Sequence, residues 1–530
     1  MSRFLRAAAA AIALLSIVAG PTAAQKRGGV LVISSPDSPG GMSILEESTQ
    51  FAVGPMAGVF NNLVMFDQQK RQNSLETIVP DLALSWSWSA DGLALTMPLR
   101  QGVRWHDGKP FTAKDVLCTF GLLMETSTEK LRINPRKPWY DNVERVSANG
   151  DFEITFHLKR PQPAFPMLLA AGVTPVYPCH VPPRDMRSNP IGTGPYRFVE
   201  YKANQHIKVA RNPDYWKPGL PYLDGIEYQI VADPATSALA FVAGKLDMSF
   251  PGTLSPETVK NIRAQTPNAI CEVAPAGGVN RHIIINRNRP PFDNPDLRRA
   301  MALSLDRQAF IDILTDGQGE IGGVMQPPPG GTWGMPTEML RQLPGYGTDV
   351  AKNREEARAI MRGLGYGPNN RLQIKVLTRN NILYRPAAVI LLDQLKEVYF
   401  EAEMEIIETA AYFPRLARKD FTVGMNLQTS GPDPDTIIRS FYGCGSNSNW
   451  DAYCKPEMDA MIEAQSREAD PKKRQQLVWD IERKLAEDNA RPIIFYTRAG
   501  TCWHPHVKGV NVQLNSAFNG HRREDIWLDR

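Results

Sequence analysis

The chain reads as an α/β protein built in several lobes, and three observations predict this. At 530 residues, 42% hydrophobic and 22% charged, it has ordinary globular composition, and a chain this long divides its core among more than one body. Residues 226–231 alternate apolar and polar as a half-buried strand does, 235–243 read as a short helix stopped at Gly244-Lys245, and 246–250 as another strand. Strand, helix, strand is the unit from which α/β sheets are made. The alternation returns later, with helices at 353–364, 387–400 and 413–419 between strands at 372–377, 404–407 and 423–427.

The N-terminus reads as a secretory leader. Arg3 and Arg6 precede an apolar run over 7–19, then Gly20-Pro21-Thr22-Ala23-Ala24, a small-residue site with the cut before Gln25. The run falls short of the roughly 20 residues a spanning helix needs; the alternative is an uncut amphipathic anchor. With no Cys beside the cut, a lipid anchor is not expected. No other segment is long and apolar enough to enter a membrane. Formal net charge is +4 and close to neutral once the leader is removed, which argues against a nucleic-acid partner. The expectation is a monomer.

Residues 28–35 read as the first strand. The loop after it, SPDSPGG, places Asp37 and Ser38 where ligands meet α/β sheets, outside a strand end; a plain turn is the competing reading. Residues 49–63 look mostly helical. A polar–Trp alternation at 85–89, the turn Asp91-Gly92 and a return strand at 93–99 make a hairpin. Thr112 with Asp115 is a capping-box start for a helix to about Glu125. A second hairpin spans 143–158 around Asn149-Gly150, followed by a helix start and apolar run at 161–171. Gly192, Gly194 and Pro195 punctuate a re-entry into strands at 196–201 and 207–210. Residues 281–286 read as a buried strand, Asn294-Pro295 as a helix start, 470–488 as an amphipathic helix and 492–496 as a strand.

The chain carries no Gly-x-Ser-x-Gly, Gly-rich phosphate loop, His-Glu-x-x-His or Cys-x-x-Cys. His106-Asp107 fits a surface turn better than a catalytic pair. Cys502, His504 and His506 lack a partner cluster, so no metal and no cofactor is expected. Asp433 and Asp435 flank Pro434, a spacing that suits a turn. Secretion permits disulfides. Cys444 and Cys454 are expected to bridge across a short polar loop; Cys118, Cys179, Cys271 and Cys502 remain open between bridges and thiols.

Several ordered motifs carry a family resemblance. GTGPY (192–196), RNPDYW (211–216) and GKLD (244–247) follow a long string over 79–125 that contains LRQGVRWHDG and TAKDV, and precede FDNPDLRRAMALSLDRQAFIDIL (292–314). Together they resemble the bacterial family 5 extracellular solute-binding proteins, the dipeptide, oligopeptide and nickel receptors of ABC importers, across 25–530. The resemblance implies a two-lobed type II periplasmic-binding fold with an extra inserted domain. Lobe I would comprise 25–71, 189–277 and 500–530, the insertion 72–188 and lobe III 278–499. Two strands would cross between the lobes near 275–281 and 496–503 as a hinge. It also implies a non-enzymatic periplasmic receptor, from a Gram-negative cell, that delivers a small solute, peptide or peptide-like, to an inner-membrane ABC permease. The alternatives are a non-peptide ligand on the same fold (oligosaccharide, opine, aromatic compound, metal chelate or haem), a sensor or scavenger role, or a secreted hydrolase.

In the dipeptide-receptor branch, an Asp shortly before D-P-D pairs with the peptide ammonium. That position falls on Ser430 here, so the usual charged anchor is missing, with Asp433 as the substitute. The branch's carboxylate-binding Arg falls on Arg379, with Arg385 as alternate, suited to a bidentate grip. Trp333, Tyr384, Tyr442 and Trp450 are the expected apolar walls.

Overall fold

The computed structural model describes residues 25–429 and 431–530. The expected leader and Ser430 lie outside the described residues.

The first sheet orders its strands Val30–Ser35, Gly225–Ile230, His206–Arg211 and Tyr196–Lys202. The first pair is parallel and the others antiparallel. Leu31 and Ile33 of the leading strand are fully buried. The strand expected at 246–250 reduces to Met248, which bridges Ile33 in parallel and Trp503 in antiparallel fashion. Its neighbour Asp247 instead turns its carboxylate to accept from the Val32 amide at 2.8 Å.

The glycines of GTGPY have a packing reason. Gly194 donates to the Val59 carbonyl at 3.0 Å and Tyr196 to that of Gly58 at 2.9 Å. A Cβ at Gly192 or Gly194 would collide with the Val59 carbonyl, so only glycine lets these backbones approach. The same contact shortens the helix expected at 49–63 to Gln50–Met56. Beyond it, carbonyls of 58–63 accept from Gly194, Tyr196, Val176, Leu82 and Ala83 rather than from a helical turn. His106 locks the re-entry, meeting the Gly192 amide at 3.2 Å and the Gly194 carbonyl at 3.1 Å through its two ring nitrogens.

A second, all-antiparallel sheet orders Ser87–Trp88, Ala94–Pro98, Glu153–Leu158 and Val143–Ala148. The helix Ala113–Leu123 packs on it, started by the Thr112/Asp115 capping box.

The third sheet orders Phe400–Ile407, Leu372–Arg379, Val423–Thr429, Ile270–Ile285 and Ile493–Trp503. Leu372–Arg379 is parallel to both its neighbours; the remaining pairs are antiparallel. The last two strands are long because they serve two bodies. Residues 270–275 pair with 498–503 beside the first sheet, and 280–282 pair with 493–496 inside the third. Between the partners Pro275–Arg498 and Asn280–Tyr496 the register slips, leaving 276–279 against Thr497 alone.

Helices at Pro256–Gln265 and Pro456–Arg467 were not expected from the sequence. All six cysteines pair, as Cys118–Cys179, Cys271–Cys502 and Cys444–Cys454. Among the described residues no helix is long and apolar enough to cross a membrane.

Candidate ligand cleft

A cavity of about 1070 Å³, its open mouth included, lies where the three sheets' bodies face one another. The start of the helix Gln50–Met56 supplies Thr49 and Phe51. The segment next to the second sheet supplies Arg136, Trp139 and Val173. The third sheet and its loops supply Arg379, Tyr384, Phe413, Asn426, Gln428, Phe441 and Trp450, and the C-terminal segment Phe518 and Asn519. The β-to-loop transition explains the third set: Asn426 and Gln428 ride on the strand Val423–Thr429 and Arg379 ends the neighbouring strand.

One wall is aromatic. The Trp450 ring lies 6.1 Å from Phe413 and 6.0 Å from Phe441, centre to centre, within the range of favourable ring contacts. Trp450 sits inside the loop closed by Cys444–Cys454, and the fully buried Arg491–Asp451 pair anchors its neighbour. Amide side chains supply the polar groups: the Gln428 carbonyl accepts from Arg491 at 2.9 Å, while its own amide nitrogen is buried and unpartnered.

Contacts across the cavity hold the bodies together. The Arg379 guanidinium meets the Asp37 carboxylate at 2.5 Å, and the Thr409 hydroxyl donates to that same carboxylate at 2.7 Å. Arg379 also donates to the Tyr384 hydroxyl at 2.8 Å. The Trp139 indole donates to the Ser440 hydroxyl at 2.6 Å, and Gln162 to Asp435 at 2.7 Å.

Arg136 differs from Arg379. It is 4% exposed, lines the cavity, and its side chain makes no hydrogen bond or ion pair among the described residues; its Nη1 is buried without a partner. Burial pushes the guanidinium down to about 10, against the pull of Glu47. Glu47 is itself pushed up to about 7, chiefly by burial, with Arg132 opposing.

The expected site residues divide. Arg379, Tyr384 and Trp450 line the cavity, and Asp37 touches it through Arg379. Ser38 is hydrogen-bonded to the Tyr201 hydroxyl at 2.7 Å, away from the lining. Asp433, Trp333 and Tyr442 stand behind the wall rather than on it. Asp433 receives both Arg474 nitrogens, at 2.7 and 2.8 Å, and caps the turn Pro434–Thr436. A carboxylate so paired and buried has no capacity left for a ligand ammonium. Trp333 lies 4.9 Å from the Arg474 guanidinium and donates to the Pro432 carbonyl at 3.1 Å. Tyr442 is a core residue, 1% exposed, and Arg385 meets the Asn380 side chain on the exposed surface.

The other candidate chemistry is spent on structure. Burial pushes His106 down to about 4, so it is neutral, and Asp107 pairs with His180 at 2.7 Å. Cys502 is in a disulfide, His504 stacks on Phe241 and His506 meets Asp247. Among the described residues no group of three or more His, Cys, Asp or Glu could hold a metal. Arg136, Trp139, Phe413 and Phe518 escaped the sequence reading, because none sits in a motif; the segment NPRKPWY (134–140) was legible only as a run between two hairpins.

Comparison with known proteins follows the same lines. Residues 77–449 match the family described as bacterial extracellular solute-binding proteins, family 5 Middle. The chain is 26% identical over 468 residues to the oligopeptide-binding protein AppA of Bacillus subtilis, covering 82% of this chain and 80% of that one. It is also 26% identical over 523 residues to a dipeptide-binding protein of Pseudomonas aeruginosa, covering 92% and 93%. In fold it is similar to the ABC transporter-associated periplasmic binding protein DppA of Helicobacter pylori in complex with the peptide STSA, at a TM-score of 0.82 and 20% identity over 95% of this chain and 99% of that one.

Proposed function

The chain belongs to the bacterial extracellular solute-binding proteins of family 5, and we propose on that footing that it is the solute receptor of an ABC importer, with a peptide or peptide-like ligand. The observation that carries the reading is the cavity between bodies joined by two strands, lined from both sides. The two relatives are named for oligopeptide and dipeptide binding. A ligand that touches both sides only in the closed state favours closure by that difference in affinity, and the paired strands at 275–280 and 496–498 are the hinge.

The receptor is cut before Gln25 and works as a monomer in the periplasm of a Gram-negative cell. Its first lobe comprises 25–71, 189–277 and 500–530, the insertion 72–188 and the other lobe 278–499. The closed form docks on an inner-membrane permease. No covalent chemistry is required: the acids and histidines singled out from the sequence are engaged in structural bonds.

Native mass spectrometry of protein purified from its host's periplasm tests this. One intact peptide or peptide-like solute per chain, released unchanged, is expected. Turnover of that solute, or a metal-bearing mass, would overturn the reading.

A further inference from the structure

Two arginines, Arg136 and Arg379, line the cavity, and no Asp or Glu stands among its described lining residues. Arg379 is already compensated by Asp37. Arg136 is not: it is more than nine-tenths buried, lines the cavity and has no hydrogen-bond or ion-pair partner among the described residues. The acid whose charge acts on it, Glu47, forms no ion pair with it and is itself held toward the neutral form by burial.

We propose that Arg136 is the anion anchor of this cleft, and that the ligand is a carboxylate without a free ammonium group, such as an N-acylated or otherwise N-blocked peptide acid. This rests on the receptor reading above and narrows it. A buried, unpaired guanidinium is costly, and a ligand carboxylate recovers that cost through two parallel charge-assisted hydrogen bonds. A buried ammonium would find no carboxylate on this wall. The aromatic side around Trp450 and the unpartnered amide nitrogen of Gln428 suit an apolar body bearing amide carbonyls. The same anionic chemistry is offered by a non-peptide apolar carboxylate, so the test separates the two sources.

Binding to the mature protein is measured by calorimetry for one apolar tripeptide in three forms: the N-acetylated acid, the free-amine acid and the N-acetylated amide. Phenylpropionate and its amide form a second pair. The N-acetylated acid is expected to bind at least about tenfold tighter than either other form, about 1.4 kcal/mol. Arg136→Gln is expected to abolish the preference for acid over amide, while the unliganded variant melts no lower than wild type. Arg136→Lys, which keeps the charge and loses the fork, retains the preference at reduced affinity.

The proposal is overturned if the free-amine peptide binds as tightly as the acetylated one. It is also overturned if no carboxylate binds better than its amide, or if Arg136→Gln lowers the melting temperature and leaves the preference intact. Acid preference confined to phenylpropionate keeps the anchor and sinks the peptide reading. A free-amine peptide that binds best keeps the peptide reading and sinks the claim that the ligand lacks an ammonium group.

Discussion

Asp37 and Arg379 sit at the ends of strands in different sheets, and their carboxylate and guanidinium meet at 2.5 Å across the cleft. Asp37 follows the strand Val30–Ser35 and Arg379 ends Leu372–Arg379. The side chains are 12% and 3% exposed, so solvent screens the pair little.

Removing one partner of such a pair leaves a buried charge, at a cost of roughly 3–5 kcal/mol. Asp37→Asn is therefore expected to shift the unliganded protein toward the open form and to weaken ligand binding by about tenfold or more. Distance measurements between spin labels on the two sides report the first effect and calorimetry the second. An unchanged distance distribution would mean that the pair does not hold the cleft.

Gly192→Ala is expected to destabilise the protein by about 1–3 kcal/mol, the cost of forcing an atom into packed backbone, because the new Cβ would overlap the Val59 carbonyl. Denaturant unfolding checks it. Gly102→Ala is the control for backbone strain: its φ is +77° but no atom lies within 4 Å of the added carbon.

Glu482 is buried and accepts from the Met325 and Met335 amides at 2.8 and 2.7 Å, yet burial outweighs these donors and pushes its carboxyl from 4.5 to about 7. Its folded value is raised, so the native state holds a proton that the unfolded chain releases. That contribution is fully present below pH 4.5 and is lost as pH rises toward 7, about 3 kcal/mol in all. His106 and His521, kept neutral by burial at about 4 and about 3, act the other way and lose stability as pH falls below 6.5. The measurement is thus the difference between wild type and Glu482→Gln across pH 4.5–7. The wild-type advantage is expected to shrink with rising pH; a flat difference would sink the assignment.

Replacing Cys444 and Cys454 by Ser opens a ten-residue loop and is expected to cost roughly 2–3 kcal/mol on the chain-entropy model. Because Trp450 rides on that loop and lines the cavity, ligand affinity should fall with it. Thermal unfolding and calorimetry on the same variant separate the two losses.

Most strands and helices were legible because their signals are local. The 143–158 hairpin, the capping box at Thr112 and the alternation after residue 353 all need only neighbours in sequence. The shortfalls are tertiary. The helix expected at 49–63 ends at Met56 because distant segments take the carbonyls of 58–63. Among the helices missed are Arg307–Thr315 and two, Pro256–Gln265 and Pro456–Arg467, where Ser255-Pro256-Glu257 and Lys455-Pro456-Glu457 place Pro at the first helical position, a usable start signal. In the cleft, Arg379 was named from the family resemblance and Tyr384 and Trp450 as aromatic wall residues, and all three line the cavity. Asp433 looked free because nothing local reveals Arg474, which comes from a helix later in the chain. Arg136 was invisible for the converse reason: its distinction is a partner it lacks.

The three disulfides also set an order of assembly. A chain exported from its N-terminus presents Cys118 and Cys179 to an oxidising compartment first, and they can close while the rest is still crossing. Cys271 then waits, because Cys502 lies 231 residues further on, and the strands Leu372–Arg379, Phe400–Ile407 and Val423–Thr429 must all be made in the interval. Cys444 and Cys454 appear during that wait as rival partners for its thiol. Their separation of ten residues makes their mutual encounter entropically cheaper than either long closure. The short loop that shapes the cleft wall thus also removes two competing thiols before the last bond seals the crossing strands.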